Sequence, residues 1–296
     1  MQLTSEDADI YSPDGAAHED ALASARGGAL AIGAHQDDLE IFAIHGIGSC
    51  LDLTEKRFTG VTVTDGAGSA RKGAFADFTN ERMAAARLKE QREAAKLGRY
   101  ALQIQLGYES GAIKDPSSPE FLALVEDLTT ILKEIQPKTL YLHNPFDKHA
   151  SHNAVTAASL AALQALVRDD ETFEAPARVY GCEVWRGLDW LPEDYRITLD
   201  VSDYLDLQAR LIDCHASQIE GSKNYTQATL GREMANATYG ESHALDDAKA
   251  VTLAVDLSEF SRAPCLTWAE FANEVLQDFS NDLMSVARKY TGNPEP

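Results

Sequence analysis

Four times between residues 29 and 167 a short apolar run leads into a longer stretch with helical spacing: Ala29 to Ala34 into 38–53, Phe58 to Thr64 into 79–97, Tyr100 to Leu106 into 119–135, and Thr139 to His143 into 151–167. Runs this short and this apolar suit strands buried on both faces. Their alternation with helices predicts an α/β fold around a mostly parallel sheet covered on both sides. Such a sheet gathers its ligands at the carboxyl ends of the strands, so the informative residues should follow each apolar run.

The remainder of the chain is less regular. Residues 1–27 mix acidic and small residues without period, and Ser12-Pro13-Asp14-Gly15 is turn chemistry, so an extended or loosely packed arm is expected. One domain should then span 28–290, followed by a tail at 291–296. Past residue 170, Arg178 to Trp185, Arg196 to Val201 and Val251 to Val255 read as strands and 203–219 as a helix. A closing amphipathic helix from Trp268 to Tyr290 should cover one edge through Phe271, Val275, Leu276, Phe279 and Leu283.

A chain of 296 residues, 44% hydrophobic, can bury a large core. Its net charge of -21, from 47 acidic against 26 basic residues, repels nucleic acid and anionic membranes and points to a small-molecule partner, although solubility alone accounts for the charge. Cys50, Cys182, Cys214 and Cys265 stand far apart, with no C-x-x-C pair, and read as reduced thiols. Glu6, Asp7 and Asp9 occupy the place of a signal's basic segment, and no apolar window approaches membrane length. A cytoplasmic protein is expected, with homo-oligomerisation left open.

Directly after the first apolar run come His35, Asp37 and Asp38. Imidazole and carboxylate are ligands for a divalent ion, and the three-residue spacing lets His35 and Asp38 reach one ion while Asp37 points elsewhere. After the fourth run, His149 and His152 repeat that spacing at a helix start. The two motifs supply a carboxylate and two imidazoles, a catalytic zinc set with room for water, though iron or manganese would accept the same donors. Asp37 is the candidate base for that water. An N-cap is its plainer alternative, and the duties of Asp37 and Asp38 could be exchanged.

Five markers then fall in order: His35-Gln-Asp-Asp-Leu-Glu, the Thr64-Asp65-Gly66 loop, Arg87-x-x-Glu90-x-x-x-Ala94-x-x-Leu97-Gly98, His149-x-x-His152 and His215-x-Ser217-Gln218. Over residues 29 to about 243 this series resembles the PIG-L/LmbE-like zinc-dependent deacetylases. The resemblance implies a Rossmann-like three-layer sandwich and hydrolysis of an N-acetyl group on an amino sugar such as an N-acetylglucosamine derivative. It implies Zn2+ on His35, Asp38 and His152, with Asp37 as general base. His149, as imidazolium, would stabilise the oxyanion and protonate the departing amine.

Two positions depart from the family's habit. Gln36 stands where proline is usual and should loosen the turn, while Ser151 replaces a frequent aspartate whose orienting role Asp147 could take over. Arg71, in the loop 65–78, and His215 are the candidate substrate contacts; a solvated loop charge and a hydrogen-bonded helix residue are the plainer accounts. Tyr239 and Glu241 resemble a late Tyr-x-Glu element of the family. A metal-dependent amidase acting on a larger N-acyl or thiol conjugate would use the same centre. A non-catalytic ligand-binding module is disfavoured as a nucleotide site, because Gly33-Ala34-His35-Gln36 offers no G-x-G-x-x-G cradle.

Overall fold

The computed structural model describes residues 1–220, 223–240, 245–263 and 266–292. Its eight strands are β1 (Asp9–Tyr11), β2 (Ala29–Gly33), β3 (Thr59–Thr64), β4 (Leu102–Tyr108), β5 (Thr139–His143), β6 (Arg178–Cys182), β7 (Arg196–Asp200) and β8 (Val251–Asp256). They form one sheet in the order β1-β4-β3-β2-β5-β6-β8-β7. The pairs from β4 through β6 are parallel, and the edges formed by β1, β8 and β7 are antiparallel. From β2 the chain builds outward through β3 and β4 on one side, then returns to build through β5 and β6 on the other. The switch point therefore lies between β2 and β5, where a crevice opens at the strands' carboxyl ends.

Helices α1 (His18–Ala25), α2 (Asp38–Phe42), α3 (Ile44–Cys50), α4 (Asn80–Leu97), α5 (Pro119–Ile135) and α6 (Ala150–Asp169) accompany the first strands. Next come α7 (Leu205–Ile212), α8 (Ala216–Ile219), α9 (Tyr225–Tyr239), α10 (Ser258–Arg262) and α11 (Trp268–Thr291). Period-2 alternation in the strands makes two cores. Leu30, Ile32, Leu140 and Leu142 face Leu128, Ile131, Val155 and Leu163 of α5 and α6. Ala29, Ala31 and Tyr141 face Leu39, Phe42, Ile47 and Ala94 of α2, α3 and α4. Helix starts follow local chemistry: Thr79 Oγ1 accepts from Arg82 N, and Ser118 Oγ accepts from Phe121 N ahead of Pro119.

The mixed α/β fold with a mostly parallel central sheet agrees with the sequence expectation, with several revisions. Residues 1–27 are tied into the fold, since β1 extends the sheet and Ala21 and Ala25 of α1 are buried in the core. The expected helix over 38–53 is broken at Ala43 into α2 and α3, and that over 203–219 at Asp213 to His215 into α7 and α8. Helix α9 was not anticipated. In α11 only Phe271 and Val275 are buried; Leu276 and Leu283 are more than half exposed, so they do not cover an edge as expected. Cys265, Glu241 and residues 293–296 lie outside the described residues. Among the described residues, no helix is long and apolar enough to cross a membrane.

Truncating Leu142→Ala, fully buried between β2 and the α5–α6 layer, should lower the unfolding free energy by roughly 2–5 kcal/mol. The same change at Leu276 should stay within about 0.5 kcal/mol. Urea titration of both variants checks the two core assignments. Equal losses would mean that α11 is packed along its length.

Candidate metal and catalytic site

The turn after β2 is held in an unusual backbone state. Asp37 has φ +98°, a left-handed conformation costing a non-glycine residue on the order of 1–3 kcal/mol, of the kind that persists where surrounding contacts enforce it. Those contacts come from α4. Arg87, almost wholly buried, donates from Nη2 to the Gln36 carbonyl and, at 3.2 Å, to Asp37 Oδ1. It also donates from Nε to Gln36 Oε1 at 3.2 Å and from Nη1 to Ser69 Oγ at 2.8 Å. Gln36 Nε2 donates onward to the Thr64 carbonyl at 3.0 Å. Gln36 thus ties the turn to β3 instead of loosening it. At Gly66 (φ +68°) a Cβ would stand 2.5 Å from Gln36 Oε1, so the neighbouring loop needs glycine there.

Asp37 occupies the N-cap position of α2, but its side chain makes no capping hydrogen bond. It remains available on the wall of a cavity of about 1090 Å³. Desolvation pushes its carboxyl upward, opposed by the Arg87 charge and reinforced by Asp38.

Asp38, 4% exposed, turns inward. Its Oδ2 accepts from His35 N at 2.6 Å and lies 3.2 Å from His35 Nδ1 and 3.3 Å from His143 Nε2; its Oδ1 lies 3.3 Å from His152 Nε2. Desolvation would raise this carboxyl, but His152, His143 and His35 outweigh it and hold the group well below its ordinary range. Asp147 Oδ2 meets the opposite nitrogen of His152 at 3.2 Å. Burial disfavours charge on His152, yet the Asp38 and Asp147 carboxylates raise it to about 9.

The ligand nitrogens of His35, His149 and His152 lie within 4.8 Å of one another, as do donor atoms of Asp38, His143 and His152. His152 belongs to both groups. Its Nε2 is buried and makes no hydrogen bond among the described residues although it faces a carboxylate, which a shared cation would explain. His143 fits the wall better than the ligand set: Ala34 N donates to its Nε2 at 3.0 Å, engaging the lone pair a metal would need, and its ring stacks on His152 at 3.7 Å. Imidazole and carboxylate donors of this kind suit zinc or another first-row divalent ion.

His149 is the residue just before α6, with its Nδ1 buried and unpartnered among the described residues. Its ring meets that of His35 at 4.9 Å. Burial and the charges expected on His152 and His35 push it down to about 4. The neutral imidazole is therefore favoured at pH 7, contrary to the imidazolium expected from the resemblance. Asp147 supports His152, not His149, and Ser151 Oγ pairs with Ser110 Oγ at 2.8 Å.

Neither substrate-contact candidate is itself a lining residue of the cavity. Arg71 donates to the Phe78, Ser69 and Ala67 carbonyls and to Asn80 Oδ1, which spends its guanidinium on holding the loop, including the lining residues Ala67, Ser69 and Asn80. His215 is fully buried, its Nε2 3.1 Å from Glu40 Oε2, while Ser217 binds Glu90 through N and Oγ at 2.8 and 2.6 Å. That motif fastens α8 beneath the site, with charge pairing and burial satisfying the histidine away from the cavity. Tyr239 is 84% exposed. His143, Arg87, Trp185 and Tyr225 were not singled out as functional; the sequence signal for His143 was a histidine closing an otherwise apolar strand.

Residues 30–163, the segment from β2 into α6, match the family model described as PIG-L: GlcNAc-PI de-N-acetylase. All five residues of the two histidine-bearing turns, His35, Asp37, Asp38, His149 and His152, fall inside that segment. Among solved structures, the fold is similar to that of N,N'-diacetylchitobiose deacetylase from Pyrococcus horikoshii (TM-score 0.57, 19% identity, 77% of this chain and 83% of that one). It is also similar to 4-carboxy-2-hydroxymuconate hydratase from Pseudomonas putida (0.58, 20%, 77% and 95%) and to a deacetylase of an antimicrobial pseudoaglycone (0.55, 16%, 78% and 97%). These likenesses establish the fold. Comparison with curated protein sequences gives no match.

Replacing Arg87→Ala within this matched segment removes the donors that fix Gln36, Asp37 and Ser69. Stranding a buried carboxylate should cost on the order of 3–5 kcal/mol, read as a lower urea midpoint. A midpoint equal to the wild type's would dismiss the clamp.

Proposed function

We propose that this protein is a metal-dependent hydrolase removing an N-acetyl group from an amino sugar such as an N-acetylglucosamine derivative. The observation that carries this reading is the meeting of His35 and His152 on the Asp38 carboxylate, with Asp37 one residue away and held on the cavity wall by Arg87. His35, Asp38 and His152 would hold the cation, with Asp147 orienting His152. A divalent ion there supplies Lewis acidity, polarising the acetamido carbonyl and making water a better nucleophile near neutral pH.

Asp37 takes one proton from the attacking water; its upward shift brings the carboxyl closer to the range suited to a general base. As the C–N bond breaks, the same carboxyl returns that proton to the departing nitrogen, so acetic acid and free amine form without an external acid, and the acid's remaining proton passes to the amine to give acetate and the ammonium form at neutral pH. His149 remains neutral and donates a hydrogen bond to the developing oxyanion. Arg87 keeps Asp37 aimed, and the left-handed backbone leaves its side chain out of helix capping.

The cavity bears on substrate class. Besides the paired Asp37 and Arg87, the acids Asp7, Asp65, Glu81 and Glu109 line it against Lys114, a surplus of acidic charge that favours uncharged sugars over phosphorylated ones. Its volume also accommodates a larger N-acyl conjugate, the second reading with the same centre. Acetate released from N-acetylglucosamine derivatives supports the first; release confined to larger acyl or thiol conjugates supports the second.

Purified protein should hold about one divalent ion per chain. Asp37→Asn should retain it while turnover falls by roughly 10²–10⁴-fold. Elemental analysis beside an acetate assay checks both, and loss of metal from that variant would make Asp37 a ligand. His152→Ala should come out metal-poor; full occupancy would place the third ligand elsewhere. His149→Ala should bind metal and turn over slowly, and an unimpaired rate would remove its oxyanion role.

A further inference from the structure

A second cavity of about 230 Å³ lies beside the first, with Ile41, Trp185 and Tyr225 bordering both. By the share a water takes in the liquid, this is room for roughly eight waters. Its lining includes a carboxyl with an unused acceptor. Glu233, on α9 and 3% exposed, accepts at Oε1 from Gln208 Nε2 and Thr252 Oγ1, both at 2.9 Å. Its buried Oε2 has no partner among the described residues. Burial pushes this carboxyl up to about 7. An acceptor removed from water and left unmatched is a standing cost that a ligand's donor would offset.

The neighbours specify that ligand. Glu183 is already engaged, through Oε1 with Asn236 Nδ2 and Leu253 N and through Oε2 with Leu188 N. Glu183 and Glu233 are matched in number by Lys223 and Arg232, so neither a net cation nor a net anion is selected. Ile41, Val184 and Ala228 are apolar, and Trp185 and Tyr225 meet edge to face with centroids 6.3 Å apart. One unpartnered carboxyl oxygen on a lining residue, beside aromatic rings, fits an uncharged polyol ring, its hydroxyls on the acid and its C–H face on the aromatics. The Trp185 ring lies 6.5 Å from that of His149, close enough for one molecule to reach both cavities.

We propose that the second cavity is a subsite for an uncharged, hydroxylated sugar ring joined to the acetamido-bearing ring in the first, with Glu233 Oε2 accepting one of its hydroxyls. The joining rests on the hydrolase reading; recognition of the second ring does not. Tryptophan fluorescence titration of chelator-treated full-length protein with N-acetylglucosamine and with N,N'-diacetylchitobiose tests it without turnover. The disaccharide should bind at least about tenfold more tightly. That advantage should vanish in Glu233→Gln, which preserves the carbonyl acceptor but presents a donor to the hydroxyl, and in Thr229→Phe, which narrows the cavity. Circular dichroism establishes that each variant is folded, and the glutamine variant alone suffices if Thr229→Phe is not. Equal affinity for the two sugars, no binding of either, or an advantage surviving in Glu233→Gln overturns the subsite. Acetate release, assayed separately on metal-loaded protein, separates the two ideas. Release without a disaccharide advantage sinks only the subsite, whereas that advantage without release from any acetylated sugar sinks only the hydrolase.

Discussion

A carboxylate removed from water must be compensated, and the burial of Asp38 organises this end of the sheet. One oxygen takes the His35 N–H and faces the His35 and His143 rings, while the other faces His152. These partners come from the ends of two adjacent parallel strands and from the helix after the second, so compensation requires β2 and β5 to be neighbours. The switch point supplies that adjacency. Without a cation the carboxylate leans on protonated His152. With a cation, that proton would be displaced, and metal binding and proton release would be linked.

Support beneath the site is equally specific. Arg87 spends its donors on the Gln36 carbonyl and side chain, Asp37 and Ser69, thereby holding together the β2 turn and the loop after β3. Glu40 and Glu90 perform the corresponding task below, binding His215 and Ser217 and fixing the chain that leads toward α9. Arg87, itself in the cavity lining, and the Glu40 and Glu90 pairs behind it thus hold the backbone around Asp37. Their value would be positional under the proposed function, because a misaimed base loses most of its advantage.

The strand-helix alternation made the parallel sheet legible, and residues after its apolar runs made the strand ends legible as a site. His35, Asp38 and His152 are brought together there. Other features depended on information no local pattern carries. Arg71 looks like a free cation in an acidic chain, but its guanidinium geometry closes on three carbonyls of its own loop. His143 looks like the end of a strand until the neighbouring strand brings Ala34 N to it. The later β6-β8-β7 edge required antiparallel long-range pairing that an apolar run cannot encode. In α11, helical spacing recorded amphipathicity without recording which residues would meet a partner surface.

A fold shared with both deacetylases and a hydratase leaves the reaction to be decided by donors and proton acceptors. In this chain the decisive arrangement is a buried carboxylate shared by imidazoles beside an acid freed from helix capping. Hydrolysis of an amide needs both an electrophile at the carbonyl and a proton carrier between water and nitrogen, and under the proposed function adjacent Asp37 and Asp38 would divide that work, one held by Arg87 and the other among the imidazoles. The left-handed backbone at Asp37 makes the division mechanically possible. An ordinary helical turn would favour capping by the first carboxylate, so the local strain and the chemistry are two consequences of the same backbone choice.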